Sequence, residues 1–324
     1  MPQSKTATRQ AATRRTVVIA GLANVCVAVI KGVAGALSGS SAMLAESAHS
    51  VADTLNQVFL LTSLNRSNRA ADTEHPFGYG QERYFWSLLA AFGIFIAGAG
   101  FSVFEGILAL VRPAKSGDVL VAYIVLVLAG AAECVSFIRA YRQMRGEARR
   151  GHVSVAEHVR ASPDTTVKTA LFEDSVAMVG LALAAAGIGL RQLTGSDIWD
   201  GAASIAIGAL LVFVAIRLGL DSRSLLIGRA ASPSAQQQIR AEIESAPGVD
   251  ELADLLTMHL GPDHLIVAAR VWLADHLGAD DVEDLADRLD RRLAEILPQI
   301  PHVFVDPTQR RPAPNQDSRE QITS

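Results

Sequence analysis

The chain has 324 residues, a formal net charge of −4 and 50% hydrophobic residues. Its mean hydropathy of +0.26 is too high for an ordinary soluble domain of this size and favours a membrane protein. The same composition excludes a disordered chain and a collagen-like repeat. Cys26 and Cys134 both lie in apolar segments, so the sequence predicts neither a disulfide framework nor a paired-cysteine zinc site.

Six apolar stretches are long enough to cross a bilayer, which takes about 20 mostly apolar residues. They are Val17–Leu37, Ala42–Leu64, Tyr84–Val111, Val119–Tyr141, Thr169–Leu190 and Trp199–Leu220. The first spans the full bilayer thickness and has no Ala-x-Ala cleavage site, so we expect it to remain in the mature protein. The sequence predicts an all-α six-helix transmembrane bundle over residues 17–230, after a basic tail over residues 1–16.

Positive charge is concentrated in every second connection between these stretches. The N-terminal tail, the second-to-third connection and the fourth-to-fifth connection hold most of it, in Lys5, Arg9, Arg14, Arg15, Arg66, Arg69, Arg83, Arg142, Arg145, Arg149, Arg150 and Arg160. The positive-inside rule then predicts that both termini are cytoplasmic. Ala, Arg and Asp are abundant, which is typical of a bacterium with a GC-rich genome. We therefore expect a bacterial plasma membrane.

Residues 231–306 have a different composition and contain no spanning stretch. Asp and Glu outnumber Arg there by fifteen to five. The pattern predicts a helix from Ser232 to about Ala246, strands Leu252–Leu260 and Leu265–Leu273, an amphipathic helix Asp280–Leu297 and a strand His302–Asp306. This α-β-β-α-β order predicts a small open-faced α+β sandwich as a separate soluble domain. We expect residues 307–324, rich in Pro, Gln, Asn and Ser, to be disordered.

Ionisable side chains within the predicted spans are candidate functional groups, because each costs about 2.5–3.5 kcal/mol in the bilayer even on a lenient scale. Glu46, His49 and Asp53 fall on one face of the second span. His49 and Asp53 are four residues apart, so both can reach one cation and supply half of a tetrahedral zinc site. The alternative is a stripe of helix–helix hydrogen bonds.

The fifth span supplies Glu173 and Asp174. Adjacent helical residues point about 100° apart, so we expect only one of these carboxylates to face the same ion. An ion pair with a nearby basic residue is the alternative. We expect other buried polar residues, Asn24, Lys31, Glu105 and Glu133, to form interhelical pairs. Small residues in the third and sixth spans predict close helix packing.

The connection between the second and third spans is rich in turn-forming and metal-binding residue types. They are Asp72, Glu74, His75, Pro76, Gly78, Tyr79 and Gly80. Asp72 and His75 predict a weak loop metal site. The alternative is a Pro/Gly turn with ordinary surface charges.

The sequence contains two motifs, Ser41-Ala-Met-Leu-Ala-Glu-Ser-Ala-His-Ser-Val-Ala-Asp53 and His75-Pro-Phe-Gly-Tyr-Gly80, followed by the helix start Tyr84-Phe-Trp-Ser-Leu-Leu89. At this separation they resemble the motifs of the cation diffusion facilitator family of divalent-metal transporters, in its zinc-transporter-like branch. The resemblance covers nearly the whole chain. It implies a homodimeric, proton-coupled exporter with a C-terminal ferredoxin-like cytoplasmic dimerisation domain, and it implies neither an enzyme nor a nucleic-acid-binding protein.

The resemblance also implies which residues bind the metal. The family's second-helix pair falls on His49 and Asp53, and its fifth-helix aspartate falls on Asp174. The usual histidine four residues earlier is Ala170 here, so Glu173 is the nearest replacement as a fourth ligand. In the loop motif a second histidine common in relatives is Tyr79, which leaves Asp72 and His75.

The sequence therefore predicts a transporter that exports a divalent cation from the cytoplasm by proton antiport, with no prosthetic group. A site with one imidazole and several carboxylates favours Zn²⁺, whereas Mn²⁺, Fe²⁺, Co²⁺ or Cd²⁺ is the alternative cargo. A membrane-anchored metal sensor would need clustered ligands in the soluble domain, where the histidines are scattered. An intramembrane metalloenzyme would need a pattern such as H-E-x-x-H, which is absent.

Overall fold

The structure is a computed structural model, and it describes residues 3–112, 117–150, 165–262 and 264–308. The chain divides into two compact units. One contains residues 1–63 and 86–221, and the other contains residues 64–85 and 222–324. The predicted disordered tail falls almost wholly outside the described residues, as does Arg160.

The first unit is built from helices, three of which have one end in the second unit. They are α1 (Gln3–Ser38), α2 (Ser41–Ser67), α3 (Glu82–Gly93), a π-helical segment (Ile94–Gly100), α4 (Phe101–Val111), α5 (Val119–Arg150), α6 (Thr165–Thr194) and α7 (Ile198–Ile227). The segment from Glu82 to Val111 is continuous and corresponds to the third predicted span. The predicted spans therefore lie within helices, and α1 extends back through most of the predicted basic tail.

Five helical segments of the described chain are long and apolar enough to cross a membrane. They are the predicted spans one, three, four, five and six. The second predicted span, α2, has 27 residues but is not among the five. Because Glu46, His49 and Asp53 interrupt its apolar character, hydropathy alone does not identify α2 as a span.

The junction of α1 and α2 is a tight turn at Gly39, whose φ of 65° favours glycine. The next residue caps α2, because the hydroxyl of Ser40 accepts the backbone N–H of Met43. The same hydroxyl donates to Asp200 in α7, whose other carboxylate oxygen accepts the backbone N–H and the hydroxyl of Ser41. Asp200 is only 1% exposed. It therefore fixes the N-terminal end of α2 against α7.

Small residues bring helices together as the sequence predicts. A Cβ added to Gly106 in α4 or to Gly208 in α7 would overlap atoms of the facing helix, α7 and α4 respectively. Between them, the hydroxyl of Ser204 donates to the carbonyl of Ser102 at 2.8 Å. Close packing of small residues and a polar cross-link therefore hold α4 against α7.

The C-terminal α+β region contains α8 (Pro233–Glu244), β1 (Val249–Gly261), β2 (His264–Leu273), α9 (Ala279–Ile296) and β3 (His302–Pro307). β1 pairs antiparallel with β2, and β2 pairs parallel with β3. Ser232 caps α8 by accepting the N–H of Ala235, and Pro233 occupies the first turn. The predicted order and type of all five elements are confirmed.

The core of this region lies between its helices and one face of its sheet. It combines Ile239 and Ile243 of α8 with alternate residues of β2 and with three leucines of α9. The β2 residues are Leu265, Val267, Ala269 and Val271, and the leucines are Leu285, Leu289 and Leu293. The leucines repeat every four residues and so form one apolar stripe. An open-faced α+β sandwich with its own core results.

We expect Leu289→Ala to lower the free energy of unfolding of the fragment 231–306 by about 2–5 kcal/mol, because it leaves a cavity in a closed core. Leu289 is 1% exposed. Urea denaturation followed by circular dichroism measures the change. Asp290→Ala, at the neighbouring exposed position of the same helix, is the matched control and should change the free energy little. Equal effects of the two substitutions would contradict this packing.

Candidate metal site and the α2–α3 loop

The predicted pair on α2 is close together and largely enclosed. The Nε2 atom of His49 lies 3.6 Å from Oδ1 of Asp53, and the side chains are 7% and 35% exposed respectively. One more turn toward the start of the helix, Oε1 of Glu46 lies 4.0 Å from Nδ1 of His49. The prediction that these three side chains share a face is confirmed. The imidazole has a carboxylate beside each of its two nitrogens.

Glu46 is also tied to α1. The Nζ atom of Lys31 lies 2.9 Å from Oε2 of Glu46, and the two side chains are 2% and 0% exposed. The expectation that Lys31 forms an interhelical pair is confirmed. The other oxygen, Oε1 of Glu46, is buried without a hydrogen-bond partner among the described residues.

The fifth-span carboxylates lie near the α2 pair. Oε1 of Glu173 accepts a hydrogen bond from the side-chain amide of Asn56 at 3.0 Å. Glu173 and Asp174 are both close enough to Asp53 to interact with it electrostatically. Oδ2 of Asp174 is buried and has no hydrogen-bond partner among the described residues. The two carboxylates thus have different surroundings. That only one of them faces the ion stays a prediction.

The side chains do not form a compact coordination shell in this structure. Within the described ranges, no group of three or more His, Cys, Asp or Glu side chains is close enough to hold a metal ion. His49 and Asp53 form one pair on α2, and Glu173 is hydrogen-bonded to Asn56. Binding one ion with all four predicted ligands therefore requires α2 and α6 side chains to change rotamers or the helices to move.

Asn56 is a contact that the sequence reading missed. It lies three residues after Asp53, so the helical period places it near the face of the predicted ligands. Gly180 on α6 was missed as well. A Cβ added there would overlap Oε1 of Glu46 and would lie 3.7 Å from Nδ1 of His49. Its lack of a side chain allows α6 to approach the polar face of α2.

The α2–α3 loop, residues 68–81, is organised around Asp72. Oδ1 of Asp72 accepts the backbone N–H groups of Glu74 and His75, and its Oδ2 accepts the hydroxyl of Tyr79 at 2.6 Å. The guanidinium of Arg69 lies over the Tyr79 ring, 4.3 Å from its centre. The loop motif therefore makes a closed turn whose carboxylate already accepts three hydrogen bonds.

The predicted weak loop pair is brought together within this turn. Nδ1 of His75 lies 3.6 Å from Oδ1 of Asp72, and the imidazole also packs on the ring of Tyr79. Both side chains are about half exposed. The hydroxyl of Tyr79 donates to the second carboxylate oxygen of Asp72. A cation at this pair would compete with the hydrogen bonds that hold the turn.

The loop packs against the C-terminal α+β region, with which it forms one unit. A Cβ added to Gly80 would overlap the carbonyl oxygen of Leu260, so this approach requires glycine. The rings of Phe77 and Phe304 also meet edge to face, with centres 6.5 Å apart. The loop is thus held both by its own hydrogen bonds and by the sheet.

Comparison with known proteins identifies the family. The model of the cation efflux transmembrane domain matches residues 17–227. The chain belongs to the cation efflux family. Members are membrane transporters, so the chain is an integral membrane protein and not an enzyme.

Three relatives illustrate this membership. The chain is 34% identical over 234 residues to the "Proton-coupled zinc antiporter SLC30A9, mitochondrial" of Xenopus laevis, covering 72% of this chain and 42% of that protein. It is 34% identical to "Metal tolerance protein C4" of Arabidopsis thaliana, covering 69% and 49%. It is 25% identical to "Cation-efflux pump FieF" of Klebsiella pneumoniae, covering 81% of each. The matches thus span less than half the length of the first two relatives.

The loop geometry of this cation efflux protein predicts a pH-dependent property of Asp72. The hydrogen bond from Tyr79, followed by the one from the His75 backbone, holds the pKa of the Asp72 carboxyl below its usual range. The stabilisation of the turn by this carboxylate is therefore fully present above the ordinary Asp pKa. It is lost as the pH falls through the lowered pKa.

We expect Tyr79→Phe to raise the pKa of Asp72 toward its ordinary range, because the strongest donor to the carboxylate is removed. Carboxyl-carbon NMR titration of Asp-labelled protein in nanodiscs measures this pKa. Tyr123→Phe is the matched control, because the Tyr123 hydroxyl donates instead to Gln192. An unchanged Asp72 pKa in Tyr79→Phe would contradict the hydrogen bond.

Proposed function

We propose that this cation efflux protein exports Zn²⁺ from the cytoplasm in exchange for protons, using a site between α2 and α6. The observation that carries the proposal is the His49–Asp53 pair, with 3.6 Å between Nε2 and Oδ1, inside the family's transmembrane domain. An imidazole and a carboxylate at i and i+4 can bind one divalent cation from one helix.

The remaining ligands of the proposed site come from α6. Asp174 is the main α6 ligand, and its buried Oδ2 without a hydrogen-bond partner in the described chain is available to a cation. Glu173 is the proposed fourth ligand or its proton-carrying neighbour, and binding metal would require it to leave Asn56. We retain Asp72 and His75 only as a weak loop site, since the turn already uses Asp72.

The choice of metal rests on ligand chemistry. Zn²⁺ accepts mixed nitrogen and oxygen ligands in a tetrahedral arrangement, whereas a purely oxygen site would suit Mn²⁺ better. Similarity to a protein named a proton-coupled zinc antiporter supports the same choice. Mn²⁺, Fe²⁺, Co²⁺ and Cd²⁺ remain the alternative cargo, because three of the four proposed ligands are carboxylates.

Proton exchange follows from the same ligands. Zinc binds neutral imidazole and ionised carboxylates, so binding releases whatever protons these groups carry. Protons from the far side of the membrane then compete for the ligands and help to displace the metal. A proton gradient would thereby drive export.

The wider arrangement is also part of the proposal. We propose a homodimer in a bacterial plasma membrane, with six spans, both termini cytoplasmic and the C-terminal α+β region acting as a ferredoxin-like dimerisation domain. The alternation of positive charge along the chain supports this orientation. The separate core of the C-terminal α+β region supports its independence.

We expect His49→Ala or Asp53→Ala to abolish zinc flux, because each removes a ligand from a site with few alternatives. Sealed vesicles containing purified protein, with and without a pH gradient, measure the flux with a zinc-sensitive dye. His276→Ala and Asp275→Ala, two exposed positions in the C-terminal α+β region, are the matched controls and should transport normally. Normal flux in either site variant would refute the site, and wild-type flux unaffected by the pH gradient would refute the exchange.

The two α6 carboxylates should respond differently. We expect Asp174→Asn to lose high-affinity zinc binding, whereas Glu173→Gln should retain measurable binding but release fewer protons per zinc ion. Isothermal titration calorimetry in two buffers of different ionisation enthalpy counts the released protons. Equal proton counts for wild type and Glu173→Gln would remove Glu173 from the exchange mechanism.

A further inference from the structure

Glu46 is an ionisable side chain beside the proposed site that the exchange mechanism above does not use. Its side chain is fully buried, and Lys31 of α1 holds its Oε2 at 2.9 Å. Its Oε1 is directed at Nδ1 of His49, 4.0 Å away, and has no hydrogen-bond partner in the described part of the chain. One oxygen is thus fixed by a cation while the other faces the imidazole.

The two nitrogens of His49 therefore face different carboxylates, Glu46 at Nδ1 and Asp53 at Nε2. A neutral imidazole carries one N–H and one lone pair, and only the lone pair can bind a metal. Without an acceptor beside Nδ1, the tautomer that donates Nε2–H to Asp53 would be favoured. That tautomer places a proton where the proposed metal needs a lone pair.

We propose that Glu46, held in place by Lys31, is a positioning residue that accepts Nδ1–H of His49 and so keeps the Nε2 lone pair directed toward Asp53 and the cation. This inference rests on the proposed function of His49 as a zinc ligand. A carboxylate behind a metal-binding histidine fixes its tautomer and ring orientation, and loss of such a partner typically weakens metal binding by about 10–100-fold. The 4.0 Å separation is longer than a hydrogen bond, so this role requires the imidazole to rotate toward Oε1.

Space around Oε1 agrees with this role. Gly180 of α6 lies against Oε1 so closely that a Cβ there would overlap it. The α6 backbone thus closes one side of the carboxylate while His49 occupies the other. Glu46 has little freedom to choose a different partner.

The test must separate positioning from simple structural support, because removing one partner of a buried ion pair destabilises a protein by itself. Two double variants remove both charges. Lys31→Met/Glu46→Gln keeps an oxygen acceptor beside Nδ1, and Lys31→Met/Glu46→Met removes it. If the pair were only structural, the fully apolar variant would function at least as well, since it leaves no buried amide unsatisfied.

We expect the opposite order in sealed vesicles. Relative to wild type, the apparent KM for zinc should rise by about 10–100-fold in Lys31→Met/Glu46→Met (the Met/Met variant). It should rise by less in Lys31→Met/Glu46→Gln (the Met/Gln variant). In both variants kcat should change less than KM. Equal KM values in the two variants, or a lower KM in Met/Met, would overturn the inference. Wild type and His49→Ala are measured alongside. If wild type carries no zinc, the proposed function fails and this inference fails with it.

A second measurement does not depend on transport. Nitrogen NMR of ¹⁵N-histidine-labelled protein distinguishes the two imidazole tautomers, and His49→Gln assigns the signal of His49. At a pH where the ring is neutral, we expect the proton on Nδ1 in wild type and on Nε2 in the Met/Met variant. A proton on Nε2 in wild type would overturn the inference even if zinc transport is normal.

Discussion

The polar face of α2 is the constraint on which the helix bundle depends. When α2 buries Glu46 and His49, these side chains lose their hydrogen bonds to water. Neighbouring elements must then supply hydrogen-bond or charge partners, or leave space for the side chains. α1 supplies Lys31, and α6 supplies Gly180 and Glu173. At the N-terminal end of the same helix, the buried carboxylate of Asp200 in α7 accepts hydrogen bonds from Ser41. The contacts of α1, α6 and α7 with α2 thus include polar ones, whereas lipid-facing surfaces need only be apolar.

Pairing of buried charges also explains how a helix as weakly apolar as α2 can pack among the other helices of the bundle. Insertion of an isolated α2 into a bilayer would expose a carboxylate, an imidazole and a second carboxylate to lipid. The Lys31–Glu46 ion pair cancels one of these charges before any metal is bound. α1 and α2 are joined by a short turn at Gly39, so this pair can form between consecutive segments with little loss of chain entropy.

The sequence predicts those features that depend on the period of a single element. The i and i+4 spacing of His49 and Asp53 places them together on any α-helix, and the four-residue repeat of Leu285, Leu289 and Leu293 predicts the buried stripe of α9. These predictions succeed because local geometry alone decides them.

Contacts between elements are different, because they depend on how each helix is rotated and where helices cross. The hydrogen bond from Asn56 to Glu173 and the cap of α2 by Asp200 are absent from any single-helix pattern. The loop shows the same limit. Asp72 and His75 are indeed adjacent, but the partner that takes the second oxygen of Asp72 is a tyrosine seven residues away. A list of metal-binding residue types cannot reveal such competition.

The π-helical turn between α3 and α4 changes how this span packs against its neighbours. Its i→i+5 bonding accommodates one extra residue and resets the rotational phase of the helix that follows. Gly93, before this turn, packs on Phe59 of α2, whereas Gly106, after it, packs on Ile205 of α7. One continuous helical segment therefore packs with different faces against different neighbouring helices along its length.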